Sequence, residues 1–284
     1  MGKSIIKNKQ KEDKNALIAN LLEYNSYKTE HYIEGAPHLM HKQIYDIYQN
    51  LIKLLITDLF KHIKKPDLLD LGAGEGTVTL QFLEYGFYVS AVDSSHTQLK
   101  VLQEKCKKYN SNLRLYNDDV FNLLKNHKKK YDVIAINSFL HHIPNYILLI
   151  NLASQLVKDG GFIFTFQDPM RYDKLPKYHF IFSNIFYYSW RIFQGDFLNG
   201  LRRKIRRSKG IYYEDSIYDN AEYHVTRNGV DQDKLMKTLS QKGFEPKLIE
   251  YFSTQSSFFQ KLGSLMKIKN TFGIIAKKVK IERK

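Results

Sequence analysis

The amino-acid sequence predicts an α/β fold with a mostly parallel sheet that is covered by helices on both faces. Short apolar runs alternate with amphipathic runs along residues 66–167, which is the order expected of successive strand–helix–strand units. Few polar residues interrupt the apolar runs, as in strands whose two faces are both buried. A glycine-rich segment, 67–77, joins the first apolar run to the helix after it. With 284 residues, 43% of them hydrophobic, the chain is long enough for one large domain with additions.

Helices are predicted to precede the sheet. Residues 1–14 are rich in Lys, Asn and Gln, and we expect them to form a disordered basic tail. A helical cap is expected over 15–65, with a short amphipathic helix at Ala16–Tyr24 and a longer one from about His38 to His62 that ends before Pro66. The loop between these two helices is dense in aromatic and titratable side chains.

The central part of the sheet is assigned to residues 66–167. Strands are predicted at 68–71, 87–92, 113–117, 131–137 and 162–167, and helices at 77–85, 95–109, 120–126 and 146–157. The alternation stops over 168–227, which is too long for a simple connection and is assigned to an inserted lid. It resumes over 228–284, the C-terminal part of the sheet, with a helix at 231–242, a strand near 247–252, a Ser/Gln-rich loop and a strand at 271–277.

The net charge is +15. Such a charge suits nucleic acid or an anionic membrane. The alternative is a general compositional bias, because Lys, Asn, Ile and Tyr are abundant throughout. The single cysteine, Cys106, excludes a disulfide framework and fits a reducing compartment. No signal-peptide pattern begins the chain, and no apolar run approaches the roughly 18 residues that span a bilayer. We therefore expect a cytoplasmic protein.

Three glycines at every second position, Gly72, Gly74 and Gly76, follow the first predicted strand. Glycines so close together indicate a turn with positive φ or a ligand that touches bare backbone. The dinucleotide fingerprint would need a further glycine where Thr77 stands, and no Gly-Lys-Ser/Thr of a phosphate loop follows. The segment therefore indicates a nucleoside-bearing cofactor, and the alternative is a tight turn without a ligand.

Acidic residues end the neighbouring predicted strands, where open α/β sheets bind ligands. Asp93 lies 17 positions after Gly76 and suits hydrogen bonds from both ribose hydroxyls; alternatively it caps the next helix. Asp118 or Asp119 suits an adenine amino group, although Asp119 could also be a helix cap. Asp70, at the end of the first strand, suits the ammonium group of a methionine-like moiety.

Six motifs together resemble a known family. In order they are Leu69–Gly76, Val92-Asp93, Asn117-Asp118-Asp119, Tyr131–Ile134, Ser138–Ile143 and Leu156–Gly161. Each is weak alone, but as a set they are similar to the class I S-adenosylmethionine-dependent methyltransferases, particularly the small-molecule branch that includes enzymes of ubiquinone and menaquinone biosynthesis. The resemblance covers about residues 40–167 and the final helix and two strands.

This resemblance implies a Rossmann-like seven-stranded sheet of order 3-2-1-4-5-7-6 whose last strand is antiparallel, and S-adenosylmethionine as the cofactor. It also implies which residues hold the cofactor, from its methionine end to its adenine, with Asn137 and Ser138 near the sulfonium. They are Asp70, Gly72, Ala73, Gly74, Asp93, Ser94, Asp118, Asp119, Val120, Asn137 and Ser138.

Two adjacent histidines, His141 and His142, follow the fourth predicted strand, where the methyl acceptor would approach. A histidine there suits a general base, because its pKa lies near neutral pH; alternatively one packs structurally and the other is solvated. Metal-dependent quinone O-methyltransferases carry Glu-x-x-Glu-His here. This chain has Ser138 in place of the first glutamate and His141 in place of the second, so we predict no metal.

The segment 168–227 contains an aromatic run, 178–193, and a basic run, 202–209. The aromatic run suits a lid helix, and 178–207 as a peripheral contact with the inner membrane face is the alternative. The arginines of the basic run suit a phosphate; a solvated basic face is the other reading. The residues expected to bind the acceptor are Tyr32, His38, His41, Arg202, Arg203, Arg206, Arg207, Tyr223, His224 and Arg227.

These observations predict an enzyme that methylates an oxygen or nitrogen of a small molecule, such as a phosphorylated, nucleotide-linked or lipid-linked glycan. An RNA methyltransferase is the first alternative, but the fourth strand is not followed by the Asp/Asn-Pro-Pro-Tyr/Phe motif typical of that class, and nucleic acid is not an expected partner. The second alternative is a catalytically silent protein that only binds the cofactor.

Overall fold

The computed structural model describes residues 2–25, 36–193 and 197–279, and its centre is a seven-stranded sheet. The strands are β1 Asp67–Leu71, β2 Tyr88–Asp93, β3 Leu113–Asn117, β4 Tyr131–Asn137, β5 Val157–Pro169, β6 Phe244–Tyr251 and β7 Thr271–Lys278. Their order is β3-β2-β1-β4-β5-β7-β6. The first five are parallel, and β7 is antiparallel to both β5 and β6. The fold class and the strand order expected from the sequence are confirmed.

Twelve helices surround the sheet in the described part of the chain. They are α1 Gly2–Tyr24, α2 Pro37–Met40, α3 Lys42–Leu59, α4 Thr77–Glu84, α5 His96–Lys105, α6 Val120–Asn126, α7 Tyr146–Gln155, α8 Lys177–Phe193, α9 Phe197–Ser208, α10 Ile217–Asn220, α11 Gln232–Gln241 and α12 Ser257–Leu265. A 3-10 turn, Leu140–His142, follows β4. Helices α8, α9 and α10 fall within the segment 168–227.

The two faces of the sheet bury separate cores, because successive strand residues point to opposite sides. Leu69 and Ile134 belong to the core that α6, α7 and α11 cover. Their neighbours Leu68 and Val133 belong to the core under α3, α4 and α5. Each fully buried leucine or isoleucine stabilises the fold by about 1.5–3 kcal/mol relative to an exposed one. Burial on both faces explains why the strand sequences are almost continuously apolar.

Two expectations about local structure are wrong. Residues 2–14 are not a disordered tail, because α1 begins at Gly2 and runs to Tyr24. The Ser/Gln-rich loop contains a helix, α12, whose N-terminus is capped by Ser256. Both helices have their stabilising partners far away in sequence, and local residue patterns do not report such partners.

The end of β5 is irregular at the site. The register between β5 and β7 shifts between Thr165 and Asp168, and Gln167 has a φ of 67°. Such an irregularity re-aims the side chains that follow it. Here the residue after Gln167 is Asp168, which turns toward the histidines after β4. The strand pairing of β5 thus continues to Pro169, two residues beyond the predicted end of the core at 167.

Candidate active site

The glycine segment forms the turn between β1 and α4. Gly72, Gly74 and Gly76 all have positive φ, at 73°, 51° and 90°, where residues with a Cβ are strained. A Cβ at Gly72 would overlap the ring of Phe139, and one at Gly76 would lie 2.7 Å from Leu102. At Gly74 the nearest atom would be 3.9 Å away. Two glycines therefore serve packing, and the third leaves bare backbone with open space beside it.

Asp93 anchors this turn to the end of β2. Its carboxylate accepts hydrogen bonds from the backbone N–H of Gly74 at 2.9 Å and of Ser95 at 2.8 Å. Burial raises the pKa of Asp93, while these two hydrogen bonds oppose the shift. Each carboxylate oxygen retains a second lone pair, so the group can still accept hydrogen bonds from a pair of hydroxyls.

Asp70 lies behind the turn and is almost fully buried. Thr79 donates a hydrogen bond to it at 2.7 Å. Burial raises the pKa of Asp70 to about 7, despite the hydrogen bond from Thr79. A cation held beside Asp70 would favour the ionised carboxylate, because opposite charges lower a carboxyl pKa.

A cleft with two adjoining pockets opens at the carboxyl ends of β1 to β4. The pockets share six lining residues, namely Asn20, Gly72, Asp93, Ser94, Phe139 and His142. One pocket extends to Asp118, Asp119 and Val120. The other extends to Asp70, Ala73, Gly74, Asn137 and Ser138. The cleft therefore brings together all eleven residues that the resemblance assigned to the cofactor; their binding role stays a prediction.

The acids after β3 also serve the local fold. Asp119 caps α6 by accepting hydrogen bonds from the backbone N–H of Phe121 and Asn122. Asp118 accepts two from the side-chain amide of Asn122. Asp119 is thus the helix cap that the sequence offered as an alternative. These hydrogen bonds fix the carboxylates of Asp118 and Asp119 at the edge of the cleft.

Asn137 and Ser138 stand at the end of β4. The side-chain oxygen of Asn137 is buried and has no hydrogen-bond partner among the described residues. Ser138 has a φ of 50°, a strained conformation for a residue with a Cβ. Buried polar atoms without partners are rare in folded proteins, and this one lies in the lining of the cleft.

Helix α1 forms a wall of the cleft that sequence reasoning missed. Asp13, Lys14, Leu17 and Asn20 line the pocket on the side of Asp118. The end of the helix is tied to α5, because the Gln98 side chain donates to the Tyr24 carbonyl at 3.1 Å. The available signal was the amphipathic run of 16–24, but nothing local indicated where its apolar face would dock.

His141 is held between two acidic side chains. Its Nδ1 and its backbone N–H both lie within hydrogen-bond distance of one oxygen of Asp168, at 2.8 and 3.1 Å. Its Nε2 is 3.5 Å from the carboxylate of Glu222. Burial alone would lower the pKa of His141, but the hydrogen bond to Asp168 and the charges of both acids raise it. The two acids thus shift the pKa of His141 in the direction opposite to that of burial.

His142 has the opposite environment. Its Nδ1 donates a hydrogen bond to the carbonyl oxygen of Ala221 at 2.5 Å, which leaves the lone pair on Nε2. That Nε2 lies 3.4 Å from the hydroxyl of Tyr24, and His142 lines both pockets. Burial and the neighbouring His141 lower the pKa of His142 to about 4. His142 is therefore a neutral base at pH 7, positioned at the junction of the two pockets.

His141, His142 and Glu222 have donor atoms within 4.8 Å of one another. Two imidazoles and a carboxylate are also the donor types of transition-metal sites. The protein's own groups account for this cluster, since His141 faces Glu222 and Asp168 and His142 is bonded to Ala221. The expectation that the site holds no metal stays a prediction.

The residues expected to bind the acceptor are scattered. His38 is buried and lines the pocket beside Asp70, and burial lowers its pKa to about 4. His41 donates from Nε2 to the carbonyl of Thr254 at 2.7 Å and does not line either pocket. Tyr32 lies outside the described residues.

Tyr223, His224 and Arg227 contact other groups of the protein and line neither pocket. The Arg227 guanidinium is 3.6 Å from the ring centre of Tyr223 and donates to the carbonyl of Asp219. Tyr223 donates to Glu12 of α1, and His224 donates to the carbonyl of Ile143. The three side chains thus have partners within the protein, and their contact with the acceptor stays a prediction.

The four arginines of α9 have different surroundings. Arg206 and Arg207 form ion pairs with the fully buried carboxylate of Asp219, at 2.7 and 2.8 Å. The Arg203 guanidinium lies over the ring of Tyr218, and Arg202 is exposed on α9. None of the four lines the cleft. Arg206 and Arg207 thus share one buried carboxylate of the protein itself, and a role of the four arginines in binding the acceptor stays a prediction.

Comparisons with solved structures show the same fold. The [4+2]-cyclase SpnF aligns over 94% of this chain and 97% of its own, with a TM-score of 0.58 and 12% sequence identity. Magnesium protoporphyrin IX methyltransferase from Synechocystis, crystallised with S-adenosylhomocysteine, aligns over 93% and 99% with a TM-score of 0.54 and 12% identity. At these identities the likeness concerns the fold alone.

Sequence comparisons identify the family. A ubiquinone biosynthesis O-methyltransferase from Nitrosospira multiformis is 24% identical over 155 residues, which are 54% of this chain and 64% of the relative. The chain thus spans less than two thirds of the length of the curated relatives it first matches. The methyltransferase-domain family model matches residues 40–205, more than half of the chain, and S-adenosylmethionine is the cofactor that this family and fold imply. On this evidence the chain belongs to the methyltransferase domain family.

Proposed function

We propose that this chain transfers a methyl group from S-adenosylmethionine to a hydroxyl oxygen of a small molecule. The proposal rests on one observation: His142 presents a neutral Nε2 at the junction of the two pockets. These pockets are lined by acidic residues that stand at the ends of three neighbouring strands. Family membership supports methyl transfer. The fold alone would not, because the cyclase SpnF shares it.

The cofactor would lie along the cleft with its methionine end at β1. Asp70 is the partner for the ammonium group, and the bare backbone at Gly74 leaves room for close approach. Asp93 would accept hydrogen bonds from the ribose hydroxyls, with Asp118 and Val120 beside the adenine. When bound, S-adenosylmethionine supplies an electrophilic methyl group, whose bond to sulfur breaks with the electron pair kept by sulfur.

His142 is the proposed general base. Its Nε2 would take the hydroxyl proton while the acceptor oxygen forms its bond to the methyl carbon. The hydrogen bond from Nδ1 to the Ala221 carbonyl fixes the tautomer that this step needs. His141 lies beside it, with ring centres 4.1 Å apart, and Asp168 and Glu222 orient it as a positioning residue.

The acceptor that fits best is a phenolic or enolic hydroxyl. A base with a pKa of about 4 is weak, so it suits a hydroxyl that is already acidic, as phenols with a pKa of about 10 are compared with aliphatic alcohols. Aromatic side chains flank His142, with Tyr24 edge-on and Phe139 tilted. The names of the ubiquinone O-methyltransferase relatives agree with such an acceptor.

The phosphorylated, nucleotide-linked or lipid-linked glycan expected from the basic run has less support. Arg206 and Arg207 are engaged by Asp219, and the cleft beside His142 is lined by aromatic side chains. Methylation of RNA loses its main argument for the same reason, since the arginine cluster faces the protein's own carboxylate.

Transfer of a labelled methyl group to catechol, with an aliphatic diol of similar size as the control acceptor, tests the proposal. We expect product from catechol and little from the diol. If no product forms, calorimetry with S-adenosylhomocysteine on the same sample shows whether the cleft binds the cofactor. Binding without transfer to any hydroxyl acceptor would indicate a silent cofactor-binding protein, whereas no binding would contradict the assignment of the cleft.

A further inference from the structure

Two cations and two apolar residues of helix α9 depart from the usual pattern of a surface helix. Its charged residues Arg206 and Arg207 turn inward to the buried Asp219, and their side chains are only 16% and 18% exposed. Its apolar residues Leu198 and Ile205, seven positions apart on one side of the helix, are 68% and 51% exposed. A surface helix normally does the opposite, and here the two apolar side chains reach solvent near the exposed Arg202.

Helix α8 presents a second apolar stripe next to it. Lys204 of α9 donates to the side chain of Asn184 and lies over the ring of Tyr188, so the two helices are neighbours. The core-facing side of α8 packs Phe186 against Phe259 of α12. The stripe Ile181, Ile185 and Ile192, at helical spacing, is about half exposed at each position.

Cations border these stripes. Arg202 and Lys209 lie within about one turn of Ile205 and are exposed, as is Lys177 at the start of α8. The chain as a whole has a net charge of +15. Exposed apolar residues next to cations suit the surface of an anionic bilayer, where each Lys or Arg adds about 1 kcal/mol of attraction.

We propose that the outer face of α8 and α9, formed by Ile181, Ile185, Ile192, Leu198, Arg202 and Ile205, docks the protein on an anionic lipid surface. A second copy of the chain fits less well, because a two-fold interface would bring the same cations together. The contact would be peripheral: within the described ranges, no helix combines the length and apolar character that crossing a bilayer requires. The proposal does not depend on the identity of the acceptor.

Flotation with vesicles tests this surface. We expect the full chain to float with vesicles of phosphatidylcholine containing about one third phosphatidylglycerol, and not with phosphatidylcholine alone. The double substitution Ile181→Ser with Ile205→Ser should weaken binding at least about tenfold, because it removes two apolar anchors. The matched control is Leu54→Ser on α3, a position that is 65% exposed outside the proposed face.

The charge contribution is tested separately with Arg202→Glu, against Lys53→Glu on α3 as the control. We expect binding to fall with Arg202→Glu and with rising salt, while Lys53→Glu binds like the unaltered chain. Unchanged affinity for S-adenosylhomocysteine verifies that the variants are folded. Equal binding to neutral vesicles, or equal binding by the double isoleucine variant, would overturn the proposal. If the unaltered chain did not bind vesicles but formed a dimer in solution, and the double isoleucine variant were monomeric, the face would instead bind a second copy.

Discussion

At the scale of single residues, the site shows how two adjacent identical side chains acquire different chemistry. His141 is held by Asp168 and Glu222, which raise its pKa. His142 donates to a backbone carbonyl, while burial and the neighbouring His141 lower its pKa to about 4. Environment alone thus shifts the pKa values of two adjacent imidazoles in opposite directions. The adjacency of the histidines is visible in the sequence, but their partners come from β5 and from beyond α10.

Replacing His142 by alanine should lower kcat about 10²- to 10⁴-fold, the usual contribution of a general base, while the affinity for S-adenosylhomocysteine changes little. The matched control, His62→Ala, alters an exposed histidine at the end of the helical cap and should leave kcat unchanged. Because the pKa of His142 is about 4, His142 stays neutral down to about pH 5. Its protonation should therefore not lower the rate above that pH. A variant with undiminished kcat would remove His142 from the mechanism.

At the scale of elements, the glycine turn combines packing with access. A Cβ added at Gly72 would overlap the ring of Phe139. Gly86, in the turn after α4, also has a positive φ, but a Cβ there would have open space around it. Comparing the two positions therefore separates the cost of the backbone conformation from the cost of overlap.

We expect Gly72→Ala to destabilise the fold by about 1–3 kcal/mol more than Gly86→Ala, because only the first overpacks a neighbour. Urea unfolding monitored by circular dichroism measures both variants. Equal losses of stability would mean that Phe139 moves aside freely, and that the tight fit at the turn is not a constraint.

The segment 168–227 is organised by one buried carboxylate. Burial would raise the pKa of Asp219, but hydrogen bonds from Arg206, Tyr213 and Arg207 lower it to about 2. Removing one partner of such a buried cluster leaves the remaining charges uncompensated.

Asp219→Asn should therefore cost about 3–5 kcal/mol and expose α9 to limited proteolysis. The exposed Asp215 offers the control: Asp215→Asn should unfold like the unaltered chain. If both variants were cleaved at the same rate, the arginines of α9 would not depend on Asp219 for their position.

The elements of the central sheet could be predicted from the sequence because apolar periodicity is local information. The acids Asp70, Asp93 and Asp118 could also be placed, since the ends of parallel strands meet at one edge of the sheet. Three other features could not be predicted: that α1 packs over the cleft, that Glu222 lies beside His141, and that Asp219 forms an ion pair with Arg206. Each of these joins residues whose sequence gives no sign of the other partner.

At the scale of the whole molecule, buried histidines make stability depend on pH. Burial lowers the pKa of His38, His142 and His224 to about 4, below the value of about 6.5 in an unfolded chain. The unfolded state therefore binds protons first as the pH falls. The stability from these groups is fully present above about pH 6.5 and is lost between about pH 6.5 and pH 4.

Asp70 acts in the opposite direction. Its pKa of about 7 in the folded state is raised, so the stability from its protonated form is lost as the pH rises through about 7. Asp93, Asp168 and His141 also have raised pKa values and act in the same direction as Asp70. The histidine contribution is therefore measured by comparison with a variant: the free energy of unfolding should fall less from pH 7 to pH 4.5 in His224→Gln than in the unaltered chain. Urea titrations at the two pH values measure both proteins, and an equal change in the two would contradict the burial of His224.

The central claim is that the cleft at the ends of β1 to β4 holds S-adenosylmethionine, and calorimetric titration with S-adenosylhomocysteine tests it most directly. Asp93→Ala removes the proposed partner of the ribose, and hydrogen bonds to a charged group contribute about 1.5–3 kcal/mol, so we predict about a 10- to 150-fold loss of affinity. Asp46→Ala, at an exposed carboxylate on α3, should bind like the unaltered chain. Negligible binding by the unaltered chain, or equal affinity with Asp93→Ala, would contradict the assignment of the cleft.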